Sequence, residues 1–275
     1  MVSTLPVVLH YSFVAAPERD IEAVRLSTSR FLRTVDELTD AQMHDPCLLP
    51  GWSRAELVTH LARNADGFRG MAEATARGDV GVMYAGGIEQ RAADIAAGRG
   101  VRATTVTADL RRAADGLAAA WRQFPGDAWD REGKLIQGTR TIRDSVFMRW
   151  RELELHHVDL GLAYDSNEWP IGFVGRALDD AMCTLPARAK ARRTDMSGRY
   201  RVEATDHGRA WDIVITRDAV TVVAAEPGVA PDAVVSGWGC DLLAWLTGRR
   251  ASAGTVTAAG DDLGALRLPT WFPFP

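Results

Sequence analysis

The sequence predicts an α+β protein in two parts, a four-helix bundle over residues 17–168 and a smaller α/β domain over residues 169–268. Three observations carry that expectation. Apolar residues recur at helical spacing, with clear start signals, through most of the first part. The texture changes at Trp169-Pro170. From Tyr200 onward, short runs alternate apolar and polar side chains, the pattern of a sheet with one wet face.

Pro17-Glu18-Arg19-Asp20 opens the first helix with acids in its first turn. Ile21, Val24, Leu26, Phe31, Leu32, Val35 and Leu38 continue it. Asp45-Pro46 breaks the pattern. Ser53 with Glu56 three residues on forms a capping box, so a helix runs from there to about Gly78. A Gly-rich loop follows to Gly87, then helices over Ile88–Ala97, Thr107–Phe124 and Thr141–Tyr164. Four main helices and a shorter one fit an antiparallel bundle. A helix over Ile171–Ala191 begins the second part. Strands are expected at Tyr200–Ala204, Trp211–Ile215, Val220–Val223 and Asp232–Ser236, then an apolar helix over Asp241–Thr247 closed by Gly248, and a last strand at Thr255–Thr257.

Composition excludes several classes of function. Hydrophobic residues make up 47% of the 275, charged residues 25%, and the net charge is −4. No basic run interleaves with aromatics, which argues against a nucleic-acid partner. No apolar run approaches the ~18 residues of a membrane span. Leu5–Ala16 is apolar, but no basic residue precedes it, which argues against a signal peptide. Cys47, Cys183 and Cys240 are odd in number and widely spaced, the pattern of reduced thiols in a cytoplasmic protein.

The chemistry centres on the helix over Thr141–Tyr164. Residues three and four apart share a face, so Met148, Glu152, His156, Asp159 and Ala163 form one stripe beside Leu153 and Leu160. A buried Glu costs several kcal/mol unless it is paired or bound to metal. On the helix that Ser53 caps, Leu57, Leu61, Ala65 and Phe68 define the buried arc, with His60 and Asn64 at its edge. His60 can meet Glu152 and His156 across the bundle, giving two histidines and one carboxylate, a catalytic zinc set with open positions. A Glu–His pair at i, i+4 also serves as a plain surface hydrogen bond, so spacing alone leaves both readings open. His157 and Glu154 point away from the stripe and are expected to be solvent-facing or structural.

Two segments extend this reading. The run Leu49-Pro50-Gly51-Trp52-Ser53-Arg54-Ala55-Glu56-Leu57-Val58-Thr59-His60, followed by Asn64-Ala65, resembles a signature region of mycothiol-dependent maleylpyruvate isomerases. The run from Met148 to Gly161, with Arg151-Glu152, His156 and Val158-Asp159-Leu160-Gly161, resembles the second metal segment of that family. Met83-Tyr84, Arg91 and Gly248-Arg249 also match. The resemblance runs from about residue 18 to about 260. The loop from Gly78 to Gly87 matches less closely, Arg188–Arg209 is longer and more basic, and the N-terminus is unmatched.

The resemblance implies a DinB-like bundle followed by a sterol-carrier-like domain, with His60, Glu152 and His156 holding zinc or another divalent metal. It also implies mycothiol as the thiol cofactor and a dicarboxylate substrate, maleylpyruvate, gripped by Arg91 and Arg249. Thiolate addition to the cis double bond would leave a single bond. Rotation and loss of the thiolate then give fumarylpyruvate. Arginine suits carboxylates because its planar fork pairs with both oxygens. Two other readings use the same ligands: a thiol S-transferase or hydrolase acting on another electrophile, and a non-catalytic zinc-stabilised lipid- or small-molecule-binding protein.

Overall fold

The computed structural model describes residues 17–136, 138–189, 197–249, 256–260 and 268–271. The chain divides into two compact units, Met1–Gly161 and Leu162–Pro275. The apolar stretch Leu5–Ala16 lies outside the described residues.

The first unit is the expected bundle. Its four long helices are α1 (Pro17–Asp36), α3 (Arg54–Ala76), α5 (Ala103–Arg122) and α6 (Ile142–Asp159). Helix α1 packs on α5 and α6, and α3 packs on the same two. Phe31, Leu57, Leu61, Phe68, Leu110, Leu117, Val146 and Leu153 fill the space between them. Burying each such side chain is worth about 1.5–3 kcal/mol. The Ser53–Glu56 capping box is present, with the Ser53 backbone N–H donating to Glu56 Oε2 at 2.9 Å. The shorter α4 (Gly87–Ala96) lies against α3.

Three short elements have no counterpart in the sequence pattern. Helix α2 (Asp40–His44) is capped by Thr39 and Gln42 in a second capping box. Strands β1 (Glu132–Lys134) and β2 (Thr139–Thr141) form an antiparallel hairpin leading into α6. Helix α6 also ends five residues before the expected Tyr164. Gly161 takes a φ of +68°, the left-handed conformation that closes helices, and its N–H reaches Val158 O at 3.0 Å. Ala163 therefore leaves the helical stripe.

The second unit carries a five-stranded sheet in the order β5-β4-β3-β6-β7, from β3 (Gly198–Ala204), β4 (Arg209–Ile215), β5 (Val220–Ala224), β6 (Ala233–Gly237) and β7 (Thr257–Gly260). Strands β3 and β6 are parallel, and every other pair is antiparallel. Tyr200, Val202 and Ala204 bury one face of β3, as the alternation requires. Helices α7 (Ile171–Ala189) and α8 (Gly239–Leu246) pack on each other, α7 against β5 and α8 against β6. A last helical turn, α9, spans Leu268–Trp271. The final strand starts at Thr257, two residues later than expected. Of the longer basic segment Arg188–Arg209, residues 190–196 lie outside the described set, and the rest includes the end of α7, the whole of β3 and the start of β4. Its arginines in β3 have partners: Arg201 Nε donates to the buried Asp212 at 2.7 Å and Arg199 Nη1 at 2.9 Å.

Among the described residues, no helix is long and apolar enough to cross a membrane. Cys47, Cys183 and Cys240 are all free thiols.

Candidate metal centre

The segment that opens α3 does two jobs. Gly51, at φ +81°, turns the chain after Pro50, and Cys47 N–H donates to Trp52 O at 3.0 Å. That fold brings the Trp52 ring edge-on to His60, with centroids 5.7 Å apart. Ser53 then starts the helix, which places His60 two turns in and buried. Asn64, one turn further on, is buried too, so both residues lie inside the arc that spacing had put them at the edge of.

Helix α6 supplies the facing groups. His60 Nε2 lies 2.9 Å from Glu152 Oε2 and 3.2 Å from His156 Nε2, and His156 Nε2 is 3.5 Å from Glu152 Oε2. One ligand atom from each residue falls within 4.8 Å of the others. A tetrahedral ion with ~2.1 Å bonds separates its ligand atoms by about 3.4 Å, so the set has the dimensions of a three-ligand centre. Nitrogen, nitrogen and carboxylate oxygen suit zinc and several other divalent ions.

The protonation states suit a cation as well. Burial pushes the His60 imidazole down to about 4, so it is neutral at pH 7 with a lone pair to give. Burial pushes the Glu152 carboxyl up, but hydrogen bonds with His156 and His60 outweigh it and hold the group well below the usual carboxylate range. Burial pushes His156 down, and its bonds to Asp159 and Glu152 overcome this and raise it. Asp159 Oδ2 accepts from His156 Nδ1 at 2.8 Å, which turns Nε2 toward the cluster. Carboxylates behind ligating histidines fix the tautomer and raise basicity, and their loss typically costs 10–100-fold in metal affinity. We therefore expect Asp159→Asn, nearly isosteric, to weaken zinc binding roughly tenfold. A competition titration against a chromophoric chelator would measure it, and unchanged affinity would remove Asp159 from the site.

Arg91 reaches the cluster from α4. Its Nη2 lies 3.2 Å from His60 Nδ1, and its guanidinium sits over the Tyr84 ring, 5.5 Å from the centroid. The β1–β2 hairpin helps place this loop: Met83 N–H donates to Lys134 O at 2.9 Å and Lys134 N–H to Gly81 O at 2.8 Å. Met83 O comes so close to α3 that a Cβ on Gly67 would stand 2.6 Å from it, so a side chain there would push the loop away. Arg249 lies in the second unit just past α8, its Nη1 donating to Thr247 O at 3.1 Å.

Of the two places open to Glu154 and His157, solvent-facing or structural, the structure gives the second: both are buried. They face α1, where Arg30 Nη2 and Ser27 Oγ donate to Glu154 and Thr34 Oγ1 lies 2.8 Å from His157 Nε2. Arg149 was missed. It is fully buried, whereas Met148, on the stripe, is half-buried. Its signal was in the spacing: Arg149 stands at i−3 from Glu152 and i−7 from His156.

The family model for the mycothiol maleylpyruvate isomerase N-terminal domain matches residues 24–161, half of the chain and nearly all of the bundle. The chain belongs to the mycothiol maleylpyruvate isomerase family. Two solved structures are similar along most of the chain. One, described as the mycothiol-dependent maleylpyruvate isomerase, is 25% identical, with a TM-score of 0.73 over 89% of this chain and 93% of that one. A histidine-to-alanine mutant of the mycothiol-dependent maleylpyruvate isomerase gives a TM-score of 0.71 at the same identity and coverage. No curated protein sequence matches this chain. Membership in the isomerase family agrees with the expected α+β fold and with the helical N-terminal unit that carries the cluster.

Proposed function

We propose that this chain isomerises maleylpyruvate to fumarylpyruvate with mycothiol as cofactor, at a divalent ion, zinc by donor chemistry, held by His60, Glu152 and His156. The observation that carries the proposal is the meeting of those three ligand atoms across α3 and α6 in a chain of the isomerase family. A cation bound there favours the ionised form of an approaching thiol, whose free pKa is ~8.5.

The chain's own residues then have defined tasks. Glu152 contributes negative charge and stays ionised through neutral pH. Asp159 holds the His156 ring. Arg91 serves the substrate. A guanidinium only donates, so its contact at His60 Nδ1 uses that nitrogen as an acceptor. With a metal held through His60 Nε2, Nδ1 would carry the ring proton, and the Arg91 fork would be free to take a carboxylate. Arg249 is proposed as the second carboxylate grip, on the strength of the Gly248-Arg249 match. The protein need supply no nucleophile of its own, and burial raises the thiols of Cys47 and Cys240, which makes both poor ones. The site is proposed to work in the cytoplasm, where low-molecular-weight thiols stay reduced.

The test is metal analysis of the purified protein together with a maleylpyruvate assay, with and without mycothiol. Net isomerisation that needs both metal and thiol supports the proposal. A stable thiol adduct, or hydrolysis, would point instead to the transferase or hydrolase reading. Stoichiometric metal with no turnover on any thiol and electrophile would point to a binding protein.

A further inference from the structure

Arg149 is an unusual group to find in a helix seam. It sits on α6, one turn before Glu152, and is only 1% exposed. Burial lowers its guanidinium to about 10, so it remains charged at neutral pH, with Glu152 the first of the nearby groups that favour the charge. Its Nη1 donates to Leu61 O at 2.8 Å and to Asn64 Oδ1 at 2.8 Å. Its buried Nη2 has no hydrogen-bond partner among the described residues. A buried donor left unpaired costs about 1–3 kcal/mol, and a buried charge without a bonded counter-charge costs more. An apolar side chain would close the seam at lower cost.

What Arg149 gives in return is position. Both acceptors lie on α3 immediately after His60, at one and four residues on. On α6, Arg149, Glu152 and His156 share one face, as His60 and Asn64 do on α3. The Arg149–Asn64 contact therefore repeats, one turn along the seam, the His60–Glu152–His156 contact. An aliphatic side chain can slide along a neighbouring helix by an ångström with little change in energy. A guanidinium bonded to a backbone carbonyl and a side-chain amide cannot.

We propose that Arg149 is a positioning residue: its grip on Leu61 O and Asn64 sets the separation and register of α3 and α6, so that His60 reaches the ion jointly with Glu152 and His156. The proposal rests on the reading of that cluster as a metal centre.

The test titrates cobalt(II) into the metal-free full-length protein and follows the visible d–d bands, which report coordination geometry, beside a thermal melt. The proteins are wild type, Arg149→Met, Arg149→Lys and Asn64→Ala. Removing a positive charge near a cation by itself tightens binding, so the sign of the change separates position from electrostatics. We expect Arg149→Met to bind cobalt about tenfold more weakly or worse, the scale for lost outer groups of metal sites, with altered bands. Asn64→Ala should show a smaller loss in the same direction, and Arg149→Lys a partial recovery. A role in stability alone would lower the melting temperature but leave the spectrum of the folded protein as in wild type. Folded variants with wild-type spectra and equal or tighter cobalt binding would overturn the proposal. If neither Arg149 variant folds, Asn64→Ala decides it alone by the same criterion. If wild type itself binds no cobalt, the metal-centre reading fails, and the role of Arg149 at it falls with that reading.

Discussion

Replacing His60 by alanine should strip the protein of most of its metal and reduce turnover by about a hundredfold or more, while leaving the bundle folded. The magnitude follows from dividing the ~10–16 kcal/mol of a four-ligand zinc site among its ligands, roughly 3 kcal/mol for one. The fold should survive because the apolar core around α3, with Leu57, Leu61 and Phe68, does not depend on the imidazole. Some stability is lost through the cavity beside Trp52. Atomic absorption on the dialysed variant, circular dichroism and a maleylpyruvate assay give the three readings. Full metal content with wild-type turnover in His60→Ala would remove the site.

The second large effect concerns the thiol. Mycothiol carries an inositol–glucosamine portion rich in hydroxyls, and sites built to hydrogen-bond hydroxyls reject analogues without them. Glutathione brings two carboxylates and a peptide backbone instead, and Arg91 beside the cluster would draw those carboxylates into a competing pose. We expect the specificity constant for mycothiol to exceed that for glutathione by ~10² or more. Side-by-side kinetics with the two purified thiols measure the ratio. Equal rates, or full activity without either thiol, would refute thiol selection of this kind.

The two ligand-bearing helices were legible in the sequence because their start signals and periodic positions agree. The Ser53–Glu56 box and the arc Leu57, Leu61, Ala65 and Phe68 all stand in the structure. Helix α2 and strands β1 and β2 are three to five residues long. Over that length neither helical nor strand periodicity completes a cycle, and the Thr39–Gln42 box was the only mark of α2. For α6, the less buried side is the stripe of Met148, Glu152 and His156 itself, and because the opposite side carries polar groups too, periodicity could not rank the two. Spacing therefore leaves Glu154 and His157 between a solvent-facing and a structural place, and puts the apolar Met148 rather than Arg149 on the stripe. Arg91 could be singled out only by resemblance. One arginine among many has no local signal, and its approach to His60 depends on a loop whose course the hairpin sets.

The packing of α6 between α1 and α3 also decides how the adjacent histidines are told apart. His156 and His157, and likewise Glu152 and Glu154, differ in azimuth around one axis. A modest rotation of the helix would offer the wrong pair to α3. The contacts with α1 act as a detent against that rotation. Glu154 accepts from Arg30, Ser27 and Trp150 on that side. Turning it toward the apolar arc of α3 would strand a carboxylate, an error of about 3–5 kcal/mol. The choice of which imidazole faces α3 is thus enforced from the opposite side of the helix, by residues that never approach an ion.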